Sequence, residues 1–154
     1  MAGPDMVSPV IVVAGVDLSP LNERVVRRAL DEAARRGAEL HVVYVFHPPN
    51  PAIAAYGIPL ADIGDLAQME RRAVWEKVGP MLEGSGVAVR QVDLDGYPPD
   101  MLVDYVRRVD ADLLVVGTRG RGEMASLILG STSHRAIQLA PCDVLIVKPP
   151  PVPG

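Results

Sequence analysis

The chain has 154 residues, nearly half of them hydrophobic, and a formal charge of −4, which fits one domain with a substantial core and excludes a basic nucleic-acid-binding face. Its single cysteine, Cys142, excludes an intrachain disulfide and fits a reducing compartment. The start, Met1 to Pro9, lacks the basic and apolar regions of a signal peptide, and every apolar run falls far short of the roughly 20 residues of a membrane span, so a cytoplasmic protein without membrane or nucleic-acid partners is expected.

Pro9 to Val16 is a continuous apolar run, as in a parallel strand covered on both faces. Asp17-Leu-Ser-Pro20 breaks it, with Ser19 expected as N-cap and Pro20 as the first helical residue. Leu21, Val25, Ala29, Leu30 and Ala33 then recur at helical spacing opposite Glu23, Arg27, Arg28 and Arg35, and Gly37 ends the helix. Leu40 to Phe46 reads as the second strand, stopped by His47 and a proline cluster. The segment 48–62 reads as a long irregular loop, of the kind that more often serves function than idles. Ile63 to Leu82 reads as a helix with Leu66, Met69, Ala73, Trp75 and Val78 as its apolar positions, its last turn frayed or kinked by Gly79-Pro80.

Gly86 to Leu94 alternates apolar and polar residues, as an edge strand does. A turn over 95–99 leads to an amphipathic helix from Asp100 to Val109. Asp112 to Val116 reads as a buried strand, His134 to Ala140 as a helix ended by Pro141, and Val144 to Val147 as the last strand. The ends, 1–8 and 149–154, are expected to be disordered. The order β-α-β-α-β-α-β-α-β predicts one domain over 1–154, an α/β doubly wound parallel sheet with helices on both faces, and the five-stranded order expected for it is 3-2-1-4-5. In such sheets ligands bind outside the carboxyl ends of the strands where the order reverses. Here that point lies between the first and fourth strands, so the loops at Asp17 and Gly117 are expected to face each other.

Gly117 to Ser131 reads Gly-Thr-Arg-Gly-Arg-Gly-Glu-Met-Ala-Ser-Leu-Ile-Leu-Gly-Ser. Glycines let a backbone approach a ligand closely, and the helix start beyond supplies unpaired N–H groups and a positive dipole end suited to phosphate. A plain turn followed by an N-cap is the alternative reading of the same residues. The spacing is neither a Walker A loop, which needs a lysine after its second glycine, nor the Rossmann Gly-x-Gly-x-x-Gly. Anion recognition would fall to backbone amides, to the hydroxyls of Ser131 and Ser133, or to Arg119 and Arg121. Asp17 reads either as a ligand group, accepting a ribose hydroxyl or holding Mg²⁺ beside phosphates, or as an Asx turn. Val45 offers its backbone to an adenine edge. His41 reads as packed, His47 as bordering a pocket mouth and His134 as a surface imidazole. Without His-x-x-x-His, Cys-x-x-Cys, Gly-x-Ser-x-Gly or a positioned base, no residue is assigned a catalytic role.

The spacing Gly117-x2-Gly120-x9-Gly130-Ser131 resembles the ATP-binding signature of the universal stress protein family, and Ala140 to Lys148 resembles the way its members close their last helix and strand. Gly15-Val-Asp-Leu-Ser-Pro20 resembles its first-strand motif, in which the aspartate contacts the nucleotide, although Leu18 replaces a common glycine. Tyr44-Val45 resembles its second-strand end. The resemblance implies a binding set of Gly15, Val16, Asp17, Val45, Gly117, Arg119, Gly120, Gly122, Gly130, Ser131, Thr132 and Ser133, with ATP and Mg²⁺ bound and Asp17 as metal ligand. It further implies a nucleotide-dependent stress-response switch with at most slow ATP hydrolysis, and a homodimer through Val144, Leu145, Ile146 and Val147. The alternatives are an AMP or cyclic AMP sensor and a nucleotide-free partner-binding module. An adenylyl-transferring ligase would need a glycine pair where Val16-Asp-Leu-Ser-Pro20 stands, and a flavodoxin-like flavin site would need more aromatic residues.

Overall fold

The computed structural model describes residues 7–49, 61–118 and 129–151. The apolar runs become five parallel strands, β1 (Ile11–Val16), β2 (Glu39–Phe46), β3 (Val89–Asp95), β4 (Leu113–Gly117) and β5 (Asp143–Val147), in the order β3-β2-β1-β4-β5. Central β1 sets the register: Val12 lies opposite Leu40 of β2 and Leu113 of β4.

Because side chains alternate across a strand, β1 serves two cores at once. Val12, Ala14 and Val16 pack beneath α1 (Asn22–Arg36) and α2 (Ala61–Leu82), whereas Ile11 and Val13 pack beneath α3 (Pro98–Val109) and α4 (Ser131–Leu139). The same alternation divides β5, with Leu145 and Val147 toward the first core and Val144 and Ile146 toward the second. Helices on both faces therefore account for a strand that is apolar throughout, while among the described residues one edge of β5 has no neighbouring strand. At the opposite edge, β3 carries Arg90, Asp93 and Asp95 on exposed positions, the charged pattern that blunts an open edge.

Several boundaries differ from expectation, each for a local reason. Ser19 caps a turn and not the helix: its Oγ accepts the Leu21 N–H at 3.0 Å and α1 begins at Asn22. Pro98 and Pro99 open α3 instead of preceding it, because the first helical positions need no N–H donor. The serines lie within the first turn of α4, after Gly130 as N-cap. Pro80 stands inside α2, which runs on to Leu82.

The inward face of α2 is also rotated from the expected one. Val78 is buried and Trp75 packs partly against the first core as expected, but Ala67, Val74 and Leu82 are buried beside them, while Leu66, Ala73 and Met69, the last 68% exposed, face solvent. Polar anchors fix that rotation: Arg71 pairs with Asp95, the indole N–H of Trp75 donates to Asp93 Oδ1 at 2.9 Å, and Glu70 Oε2 accepts the Tyr44 hydroxyl at 2.7 Å. A helix with apolar residues on two sides leaves its phase to such partners.

Candidate functional site

The carboxyl ends of β1 and β4 diverge to neighbouring helices, and a cavity of about 420 Å³ opens there, within the range of small-molecule sites. Gly15, Val16, Asp17, Val45, Gly117, Gly130, Ser131, Thr132 and Ser133 all line it, so the structure brings together these nine sequence-predicted residues. Arg119, Gly120 and Gly122 lie outside the described residues, as do Arg121 and most of the 48–62 loop.

The wall after β1 is organised by side chains that replace missing backbone partners. Asp17 Oδ1 accepts the Ser19 N–H at 2.7 Å, an Asx turn. Asn22, 3% exposed, holds the same residue from behind: its Oδ1 accepts the Asp17 N–H at 3.0 Å and its amide N–H donates to the Asp17 carbonyl. The Asx-turn reading of Asp17 is met, and the same residue lines the cavity. Leu18, standing where the family motif has glycine, contributes an apolar lining. Gly15 serves packing; a Cβ there would lie 2.8 Å from Leu102 Cδ2, so its absence lets α3 close onto β1.

The wall after β2 combines Val45 with Tyr44, His47 and Glu70. His47 lines the cavity as expected, its Nδ1 3.2 Å from the Gly96 carbonyl and its ring edge-on to Tyr97. Glu70 was missed by sequence reasoning, because the contact that marks it comes from Tyr44, 26 residues away in the chain. Burial, followed by the hydrogen bond to Glu70, pushes the Tyr44 phenol well above its ordinary pKa, so it stays a protonated donor.

The opposite wall is made mostly of backbone. Gly117 ends β4, and a Cβ there would lie 2.7 Å from Leu21 Cδ2. The Gly130 N–H returns to the Thr118 carbonyl at 2.7 Å, and the first bond of α4 runs from the His134 N–H to the Gly130 carbonyl at 3.0 Å. Helical bonding therefore gives the N–H groups of Ser131, Thr132 and Ser133 no carbonyl acceptor. The Ser133 hydroxyl lies 3.1 Å from the Thr118 carbonyl and 3.0 Å from that of Gly130. Its hydrogen is engaged with these two carbonyls, and the hydroxyls of Ser131 and Thr132 and the amides stand beside it at the start of α4.

Among the described residues lining the cavity, Asp17 and Glu70 carry formal charge and neither Lys nor Arg appears. A ligand thus meets carboxylates at the ends of β1 and β2, and N–H groups with a positive dipole end at α4. Among the described residues no group of three or more His, Cys, Asp or Glu is placed to hold a metal ion. His41, 2% exposed, lies outside the cavity, with Nδ1 2.8 Å from the Tyr105 hydroxyl, so it is packed as expected. His134 is exposed.

The profile of the universal stress protein family matches residues 11–148. A universal stress protein of Methanocaldococcus jannaschii is 31% identical over 143 residues, covering 90% of this chain and 82% of that protein. Among solved structures, a universal stress protein in complex with cAMP is 31% identical, with a TM-score of 0.60 over 92% of this chain and 98% of that one. The universal stress protein from Archaeoglobus fulgidus in complex with dAMP is 27% identical, with a TM-score of 0.65 over 93% and 100% of the two chains. The match spans all five strands and four helices, and this chain belongs to the universal stress protein family.

Proposed function

We propose that the cavity binds an adenine nucleotide and that the chain acts as a nucleotide-dependent stress-response switch. The observation that carries this reading is the opposed character of the two walls: carboxylates with neutral-donor chemistry at β1 and β2, amide donors at the start of α4. A nucleotide has the matching polarity, a neutral nucleoside joined to an anionic phosphate. Val45 offers its backbone to the base, Asp17 faces the ribose, and the amides of Ser131 to Ser133 take the phosphate. The complexes of relatives with cAMP and dAMP support an adenine nucleotide.

For ATP, the same cavity would hold the α-phosphate at α4, and Mg²⁺ would supply the positive charge that the described lining lacks. Asp17 fits such an ion as a single carboxylate beside phosphate oxygens. Binding, with at most slow ATP hydrolysis, is the proposed activity. Calorimetric titration with AMP, cyclic AMP, ATP with magnesium, and GTP tests this. Saturable binding of an adenine nucleotide in preference to GTP is expected; absence of binding to all four contradicts it. The free edge of β5 is proposed to form a homodimer, so light scattering should give twice the chain mass in solution; a monomer mass contradicts it.

A further inference from the structure

We propose that His47 is a proton-dependent cation of the cavity: with its ring protonated, the site holds an anionic ligand more tightly than with the ring neutral. The proposal rests on the nucleotide reading above and adds a regulation to it, an affinity that rises as pH falls. The described lining carries Asp17 and Glu70 and neither Lys nor Arg. Among the described residues of that lining, His47 alone can become positive. A phosphate in the cavity therefore meets a local charge that protonation of this ring makes more favourable. The attraction depends on the separation of the charges and not on which way the ring faces.

The ring is held at the lining in both of its charge states. Gly96, just past β3, donates its N–H to the Phe46 carbonyl at 2.9 Å and places its own carbonyl 3.2 Å from His47 Nδ1. A carbonyl only accepts, so Nδ1 carries hydrogen in the neutral and the charged ring alike, and the second proton goes to Nε2. The hydrogen bond thus survives the change of charge. The Tyr97 ring packs edge-on against it, with centroids 5.7 Å apart. Besides Tyr97, the titratable and charged groups of the surrounding elements are Asp17 after β1, Glu70 on α2, Asp95 of β3 paired with Arg71, and Asp100 of α3 paired with Arg135. Carboxylates and phenols ordinarily change charge outside about pH 6 to 8, imidazoles within it.

The test is calorimetric titration of the full chain and of His47→Gln with AMP, cyclic AMP and adenosine, each at pH 6 and at pH 8. Glutamine keeps an N–H donor for the Gly96 carbonyl, and thermal melting at both pH values checks that the variant folds. The readout is the ratio of the two chains' affinities for one ligand at one pH, which cancels protons taken up by the ligand itself and by His41 and His134, present in both chains. For AMP or cyclic AMP this ratio should move about threefold in favour of the unsubstituted chain from pH 8 to pH 6, the worth of one charge acting across a solvated cavity. For adenosine, which has no phosphate, it should stay constant. On the unsubstituted chain alone, cyclic AMP, whose phosphodiester stays singly charged over this range, should bind more tightly at pH 6. A nucleotide ratio that is the same at both pH values overturns the proposal, as does one that moves the other way or moves equally for adenosine. Failure of the unsubstituted chain to bind AMP or cyclic AMP at either pH overturns the nucleotide reading itself, a result distinct from these.

Discussion

The two walls of the cavity are built from different materials. At β1 and β2 the functional groups belong to side chains, and each is held by another: Asp17 by Asn22 and the Ser19 N–H, Glu70 by Tyr44. At β4 and α4 the groups are main-chain amides, and the side chains' task is to stay out of the way, as Gly117 does, or to brace the turn, as Ser133 does. A wall of side chains fails when a group is removed. A wall of backbone fails when atoms are added. The first decides which neutral groups are accepted; the second takes any suitably placed anion.

Removal should do most damage at Asn22. Asn22→Ala strips partners from the N–H and the carbonyl of Asp17 behind the wall, at about 1–3 kcal/mol for each group left unsatisfied. Differential scanning calorimetry should show melting on the order of 5–10 °C lower, together with weaker nucleotide binding. An unchanged melting temperature would break the account of that wall. Addition should act next most strongly at Gly117. Gly117→Val forces its branches against Leu21 and Val25, an overpacking cost of about 1–3 kcal/mol. Denaturant titration should report that loss, and binding should weaken although no ligand-contacting side chain is deleted.

A subtler effect concerns Tyr44. Its pKa is raised in the folded chain, chiefly by burial, so above the ordinary tyrosine value of about 10 the unfolded chain releases the proton first. The unfolded state then binds fewer protons than the folded one, and stability falls as pH rises through and beyond that value. Urea midpoints measured from pH 9 to 11 should decline less steeply for Tyr44→Phe than for the unsubstituted chain; Tyr105, also raised by burial, supplies part of the remaining slope. The smallest effect belongs to Met69, on the outward side of the helix that carries Glu70. Met69→Gln should change stability by less than about 0.5 kcal/mol and leave binding unaltered; a larger loss would restore the face expected from periodicity.

These contrasts also explain what could be read from the sequence. Two-sided apolar strands and the capped, strongly amphipathic α1 declare themselves, because burial on known faces leaves little choice. That alternation sufficed for a doubly wound parallel sheet, and the expected order 3-2-1-4-5, which the structure has, then placed the switch point and the cavity. Helix α2 declared its phase only in part: Val78 is buried as expected, but Leu66, Met69 and Ala73 offer an apolar face as persuasive as Ala67, Val74 and Leu82. The deciding contacts are long-range and polar, from Tyr44, Asp93 and Asp95. Glu70 is marked by one of them, whereas Asp17 is marked locally, by its place at the end of an apolar run. The contacts of Ser133 were hidden on similar grounds: a serine at a helix start is legible as a donor, but the Thr118 carbonyl it meets is fifteen residues away in the chain.

The most direct test of the two-walled site is a ¹⁵N–¹H NMR titration of the chain with AMP. The account predicts that the amides of Ser131, Thr132 and Ser133 shift together with those of Asp17 and Val45, and that residues around Asp100 and Arg135, outside the cavity, stay in place. Shifts confined to that outer surface, or absent from the start of α4, would contradict it.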